Sequence, residues 1–164
     1  MYPCFDVDGI SLDRLLQKWK WLVGGEFKLL AVNAFGDLYL EGVDGVVKRL
    51  DIAGGEVSAI ARSRHEFERA AKEAASKRDW FLENDAEQAE RRGYRPGKGQ
   101  CIGSKIPWVF QESADVAENL YVANLYEYVS FMGDLHQQIT DVPNGGKVRI
   151  KIQPRPEGLE NAKG

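Results

Sequence analysis

The chain has 164 residues, of which 43% are hydrophobic and 29% are charged, a balance typical of one globular domain with a buried core. Its formal net charge is −3, and acidic and basic residues are mixed along it, unlike the basic patches of nucleic-acid-binding proteins. We therefore expect no nucleic-acid partner. The composition predicts a single domain over 1–152 and a flexible, Pro- and Gly-containing tail over 153–164.

The N-terminal sequence and the cysteine content indicate the cellular compartment of the protein. Asp6, Asp8 and Asp13 interrupt the first residues, which therefore lack the uninterrupted apolar segment of a signal peptide, and no later stretch is long enough to span a membrane. Cys4 and Cys101 lie far apart without motif spacing, which favours free thiols over a bridge between them. These features predict a cytoplasmic protein with no membrane partner.

The first half of the chain predicts a helix and then a run of strands. Ser11 can cap a helix whose apolar residues continue at helical spacing to Val23. Asp44-Gly45 and Gly54-Gly55 then separate short extended segments, and such dipeptides favour tight turns between antiparallel strands. The sequence therefore predicts a β-meander with strands at 27–32, 38–40, 46–52 and 57–61.

The second half predicts three helices and two further strands. Ser63 and Glu66 form a capping box that begins a helix continuing to Leu82. The other predicted helices cover 85–92 and 125–139, and the strands cover 101–110, interrupted at Pro107, and 147–152. An acidic loop is predicted over 111–119. A meander followed by helices and late strands indicates an α+β fold, with an antiparallel sheet packed against helices.

The acidic residues of the meander allow two interpretations. Asp37, Asp44 and Asp51 lie beside turns, where oxygen-rich cation sites occur. Their spacing of seven residues does not match a calcium loop, whereas Asp and Gly are the residues that tight turns require. A phosphate-binding loop is also missing, because "GKGQCIG" precedes a strand and lacks the required spacing. We predict turn residues here, and neither a metal nor another cofactor.

No catalytic arrangement is legible in the sequence. His136 has no neighbour at ligand spacing, and Cys101 falls in a predicted strand, where a buried thiol usually packs. We therefore predict no catalytic residue. The alternative, a small enzyme or ligand sensor using His136, Cys101 or Tyr128, requires a pocket that brings two of these side chains together.

The surface offers one candidate interface. Glu112, Asp115 and Glu118 lie in the predicted acidic loop close to Trp108, and loops of this kind on rigid scaffolds commonly carry binding residues. We predict that Trp108, Glu112, Asp115 and Glu118 contact a partner. The basic face of the predicted strand over 147–152 could meet an acidic partner, and as a further alternative the chain could form a homo-oligomer by pairing along this strand.

Several segments together resemble a known family. "FGDLYL", "GQCIGSKIPWVF" and "AENLYVANLYEYVSFMGDLHQQI" occur in the order and spacing found in the C-terminal domain of type VI secretion immunity proteins that neutralise a DNase effector. The resemblance covers about residues 27–140. That family is similar to the superfamily named after a yeast cell-wall regulator, so the resemblance implies a SUKH-like α+β domain.

The resemblance also implies a function. It points to a non-enzymatic binding protein, an immunity protein that covers a cognate secreted toxin, with a nuclease as one class of toxin. Two departures stand against a full match: the chain reads "FQESA" where the family has a Gly-Gly pair, and only a helix replaces the longer N-terminal domain. The alternative is a protein of unknown role, such as mobile-gene cargo, that acts as a small ligand-binding or enzymatic domain. Toxin identity and oligomeric state stay open.

Overall fold

The computed structural model describes residues 5–115 and 118–147. Within these ranges the strands are β1 (Phe27–Val32), β2 (Leu38–Gly42), β3 (Val47–Asp51), β4 (Glu56–Ala61), β5 (Gln100–Ser104) and β6 (Leu120–Asn124). The α-helices there are α1 (Leu12–Leu16), α2 (Arg64–Ala70), α3 (Ala74–Asp79), α4 (Glu83–Arg91) and α5 (Leu125–Ile139), and a 3₁₀ helix covers Gln111–Asp115. No helix of this part of the chain is long and apolar enough to cross a membrane.

The strands form two antiparallel sheets. β1 to β4 lie side by side in chain order, and β5 pairs with β6 in a separate two-stranded sheet. The predicted α+β fold and the predicted meander are confirmed. The predicted strand over 147–152 and the tail over 153–164 lie outside the described residues, apart from Lys147.

The turns of the meander follow from their Asp and Gly residues. Between β2 and β3, the Asp44 carboxylate accepts a hydrogen bond from the backbone N–H of Val46 at 3.1 Å, and Gly45 adopts a φ of +82°. After β3, the Asp51 carboxylate accepts from the N–H of Gly54 at 2.9 Å. These contacts bear out the prediction that Asp44 and Asp51 are turn residues.

Both faces of the four-stranded sheet are buried at β2, whereas the edge strand β4 is largely exposed. The side chains of β2 alternate between them: Leu38 and Leu40 face the cluster formed with α1 and α5, whereas Tyr39 faces the cluster that contains Phe67 and Phe81. Each of these five side chains is almost completely buried, and burial of a side chain of this size contributes about 1.5–3 kcal/mol. The sheet is thus the middle layer between two groups of helices.

The first two predicted helices are wrong in extent. The helix predicted to reach Val23 ends at Leu16, and successive turns follow while the Trp19 indole donates to the Val129 carbonyl at 2.8 Å. The helix predicted over 63–82 is broken between α2 and α3. A straight helix would separate Phe67 and Phe81 by about 21 Å along its axis, whereas their ring centroids lie 6.3 Å apart in one core.

The third region of difference is 101–124. The predicted strand over 101–110 ends at Ser104, before Pro107, which lacks the N–H that a sheet requires. The predicted acidic loop contains the 3₁₀ helix, and β6 was not predicted. The two last helices agree well: α4 lies within two residues of its predicted bounds, and α5 matches 125–139, with the Asn124 side chain as its N-cap.

Candidate functional site

A cleft of about 530 Å³ lies where several parts of the fold meet. The loop between β1 and β2 contributes Phe35, and α4 contributes Asp85 and Arg92. The segment between β5 and β6 contributes Trp108 and Ser113, among others. The remaining wall comes from the turn after β3 and from buried side chains of β5 and α5. A volume of this size is within the range of small-molecule and side-chain binding sites.

Asn119 fixes the segment that carries Trp108. Its side-chain amide donates to the Ile106 carbonyl at 2.8 Å and accepts from the Ile106 N–H at 2.8 Å. The Lys105 N–H also donates to the Asn119 carbonyl, at 2.8 Å. After Pro107 the chain turns outward, and the Trp108 side chain remains 51% exposed. An exposed indole therefore lies at the edge of the cleft, on a segment that is hydrogen-bonded to Asn119.

The charged groups of the cleft are predominantly acidic. Asp51, Asp85 and Glu118 line the cleft. Arg92 is the basic side chain among its described lining residues. Asp51 is held by the Gly54 N–H, whereas Asp85 and Glu118 are exposed and make no hydrogen bond or ion pair with any described residue. The cleft therefore presents two unpaired carboxylates.

Asp37 also lines the cleft, and its carboxylate oxygens already accept hydrogen bonds from the protein. Its Oδ2 accepts from Asn33 Nδ2 at 2.9 Å and from the Arg49 guanidinium at 2.7 Å, and its Oδ1 accepts from the Ile52 N–H at 3.0 Å. Burial raises the pKa of the Asp37 carboxyl, and the Arg49 guanidinium opposes that rise. Because both oxygens have donors inside the protein, Asp37 serves the fold and is not a free ligand for a guest.

Two residues of the cleft have unusual backbone conformations. Among the described residues other than glycine, positive φ occurs at Leu82, with 52°, and at Glu118, with 56°. Leu82 turns the chain between buried Phe81 and α4. Glu118 directly precedes Asn119, which hydrogen-bonds the segment before Trp108. Side chains in this region cost about 1 kcal/mol, and such costs often concentrate at functional sites.

The predicted partner-binding residues are divided between two places. Trp108 and Glu118 line the cleft, whereas exposed Glu112 lies in a neighbouring groove with Ile106 and Val109. Asp115 ends the 3₁₀ helix that contains Glu112. Sequence reasoning missed Asp85 and Ser113, because an acid in the first turn of a helix and a Ser in a loop are ordinary features there.

The three residues of the enzymatic alternative make their hydrogen bonds and packing contacts with other parts of the fold. His136 Nε2 contacts the Ile52 carbonyl at 3.0 Å, and burial lowers the pKa of the imidazole. Burial raises the pKa of the Cys101 thiol to about 12. Tyr128 lines the cleft, but its hydroxyl accepts from the Ser104 N–H at 3.2 Å. No hydrogen bond joins any two of these three side chains.

Cys101 is a free, buried thiol, whereas Cys4 lies outside the described residues. Within the described part of the chain, no group of three or more His, Cys, Asp and Glu side chains is arranged to hold a metal ion. No protein-family model and no curated protein matches the chain.

Proposed function

We propose that this chain is a non-enzymatic, cytoplasmic immunity protein that binds and neutralises a cognate secreted toxin. The observation that carries the proposal is the exposed pair Trp108 and Val109, which are 51% and 46% exposed on the segment fixed by Asn119. We define the Trp108 surface as Trp108, Val109, Glu112 and Glu118. It has an apolar centre and acidic residues beside it.

The apolar part of the Trp108 surface is suited to protein binding. Trp is enriched among the residues that contribute most to interface affinity, because it buries a large area at a small entropic cost. A partner that covers Trp108 and Val109 removes apolar area from water, and the hydrogen bonds of Asn119 to the segment before Trp108 reduce the ordering that binding requires. Both properties favour a preformed interface.

The acidic part indicates the charge of the partner. Glu112 and Glu118 are exposed beside the apolar pair, and carboxylates around an apolar centre attract a basic surface and raise the association rate. A nuclease has such a surface, because it must bind phosphates. The resemblance to immunity proteins directed against a DNase effector points in the same direction.

The surroundings of Cys101 and His136, whose side chains are of types that enzymes commonly use, support a binding role over a catalytic one. The Cys101 thiol, with a pKa of about 12, stays protonated at neutral pH, so it is a poor nucleophile. His136 is buried and bonds main-chain carbonyls through its Nε2. These side chains contribute to packing.

The test is coexpression with a candidate toxin encoded beside the gene for this chain, scored by growth of the host. We expect the wild-type chain to protect the cells and to bind the purified toxin, and Trp108→Ala to weaken binding at least tenfold, as expected for a central interface Trp. Val43→Ala is the matched control, because Val43 is an apolar side chain 88% exposed in the β2–β3 turn. Equal binding by Trp108→Ala and wild type would remove the site, and no protection by wild type would remove the function.

A further inference from the structure

Ser113 is a buried polar side chain without a described partner. It is 8% exposed and lines the cleft, and no hydrogen bond joins its hydroxyl to any residue that the structure describes. The oxygen of this hydroxyl keeps some access to solvent, since the buried side-chain atom without a partner in the described part of the chain is Arg49 Nε. The Ser113 hydroxyl is therefore available to a guest group that hydrogen-bonds inside the cleft.

The unpaired carboxylates define the charge of that guest. Asp85 comes from α4 and Glu118 from the end of the segment before β6, so they belong to different walls of the cleft. Neither interacts with a described basic residue. A partner that covers the cleft removes both carboxylates from water, and this desolvation is costly unless the guest is a cation that donates hydrogen bonds.

The aromatic residues favour a planar cation. Trp108 and Phe35 both line the cleft, and the Trp108 indole is half exposed. A guanidinium can lie against an aromatic ring and still direct its N–H groups to the sides, where carboxylates and a hydroxyl accept them. A lysine ammonium lacks this planar arrangement of five donors.

We propose that the cleft binds the guanidinium of an arginine side chain from the partner, with Asp85, Glu118 and Ser113 as hydrogen-bond acceptors and Trp108 as the aromatic contact. This inference rests on the proposed function, because Trp108 and Glu118 belong to both the Trp108 surface and the cleft. A protein seated on the Trp108 surface is therefore adjacent to the cleft opening. The inference adds the chemistry of the partner's central side chain.

The first experiment uses the intact chain and N-acetyl-L-argininamide as the probe. We expect saturable NMR shifts of the Trp108 indole N–H and of cleft backbone amides, with a dissociation constant on the order of 1 mM, as for a single side chain. N-acetyl-L-glutaminamide, which is neutral, should cause no saturable shift, and N-acetyl-L-lysinamide should bind more weakly. Equal shifts with all three probes would overturn the assignment.

Variants then test the named acceptors. Asp85→Asn, Glu118→Gln and Ser113→Ala should each weaken binding of the arginine probe at least threefold. Glu87→Gln is the matched control, because Glu87 is an exposed acid on the same helix as Asp85 but does not line the cleft. Unchanged binding by the double variant Asp85→Asn/Glu118→Gln, with an unchanged unfolding midpoint, would overturn the inference.

The toxin assay separates this inference from the proposed function. If Trp108→Ala loses toxin binding while Asp85→Asn/Glu118→Gln binds toxin as wild type does, the proposed function stands and the arginine inference is overturned. If the chain binds the arginine probe in the cleft but gives no protection, the toxin partner is overturned and the cleft chemistry is supported. Loss of toxin binding in the double variant, with Glu87→Gln unaffected, supports both.

Discussion

The cleft contains acidic residues of two kinds, and their surroundings differ completely. Asp37 is buried and receives hydrogen bonds from Asn33, Arg49 and the main chain of Ile52. Asp85 and Glu118 are exposed and have no partner among the described residues. The comparison teaches that the residue type alone does not indicate function: a carboxylate surrounded by donors serves the fold, whereas one without donors is available to a ligand.

The network around Asp37 extends into the second core cluster. The Tyr39 hydroxyl donates to the Trp80 carbonyl and accepts from Asn33 Nδ2, so the network joins β2 to the end of α3. Arg49 Nε is buried without a partner in the described part of the chain. The ion pair with Asp37 therefore offsets much of the free energy that burial of the Arg49 charge costs. Removing Asp37 therefore affects several elements at once.

The largest predicted effect is that of Asp37→Ala. The substitution leaves the Arg49 guanidinium without its ion-pair partner and the Ile52 N–H without its acceptor, and breaking a buried pair costs about 3–5 kcal/mol. We expect the free energy of unfolding, measured by urea denaturation, to fall by that amount. Asp85→Ala is the matched control and should change stability by less than about 0.5 kcal/mol. Equal losses would contradict the division into two kinds of acid.

The next effect concerns the turn that positions Asp51 and the end of α5. Gly55 has a φ of +68°, and a Cβ there would lie 2.5 Å from His136 Nδ1. Gly55→Ala should therefore lower the free energy of unfolding by more than the roughly 1 kcal/mol that a left-handed alanine costs. Gly45→Ala controls for backbone strain, because its φ is +82° but a Cβ there meets nothing within 4 Å. If both variants lose equal stability, His136 does not pack tightly against the turn.

A smaller effect is expected from titration of His136. Burial lowers the pKa of His136 from its ordinary 6.5, while the carbonyls of Ile52 and Ala53 and the charge of Asp51 oppose the shift. Because the unfolded chain then binds more protons, the contribution of His136 to stability is complete above about pH 6.5 and is lost as pH falls through the folded-state pKa. His136→Gln should flatten this part of the stability–pH curve. Parallel curves for the variant and the wild type would contradict the assignment.

Much of the meander could be predicted because its signals are local. Asp44-Gly45 and Gly54-Gly55 specify turns through their own side chains and backbone conformations, and the strands between them alternate regularly. The break between α2 and α3 could not be predicted in this way. It is required by the packing of Phe67 against Phe81, a tertiary contact that overrides helical propensity.

The cleft was only partly predictable for the same reason. Trp108 and Glu118 could be identified as exposed candidates near Pro107 and in an acidic stretch, but their separation from Glu112 depends on the 3₁₀ helix. β6 was missed because "LYVAN" runs directly into α5 without a turn signal. Asp85 joins the site from a distant helix, and no spacing in the sequence connects it to Trp108.

The smallest predicted effect separates strain from charge at Glu118. Its φ of 56° is a conformation that asparagine tolerates better than other residues with a side chain, so Glu118→Asn should raise the free energy of unfolding by up to about 1 kcal/mol. Glu118→Ala removes the same carboxylate but keeps the strain, so its stability should stay close to that of wild type. Both variants should bind the arginine probe more weakly than wild type, as measured by the NMR titration. If Glu118→Asn is more stable than wild type and binds the arginine probe as tightly, Glu118 does not contribute to the site and, like Asp37, serves only the fold.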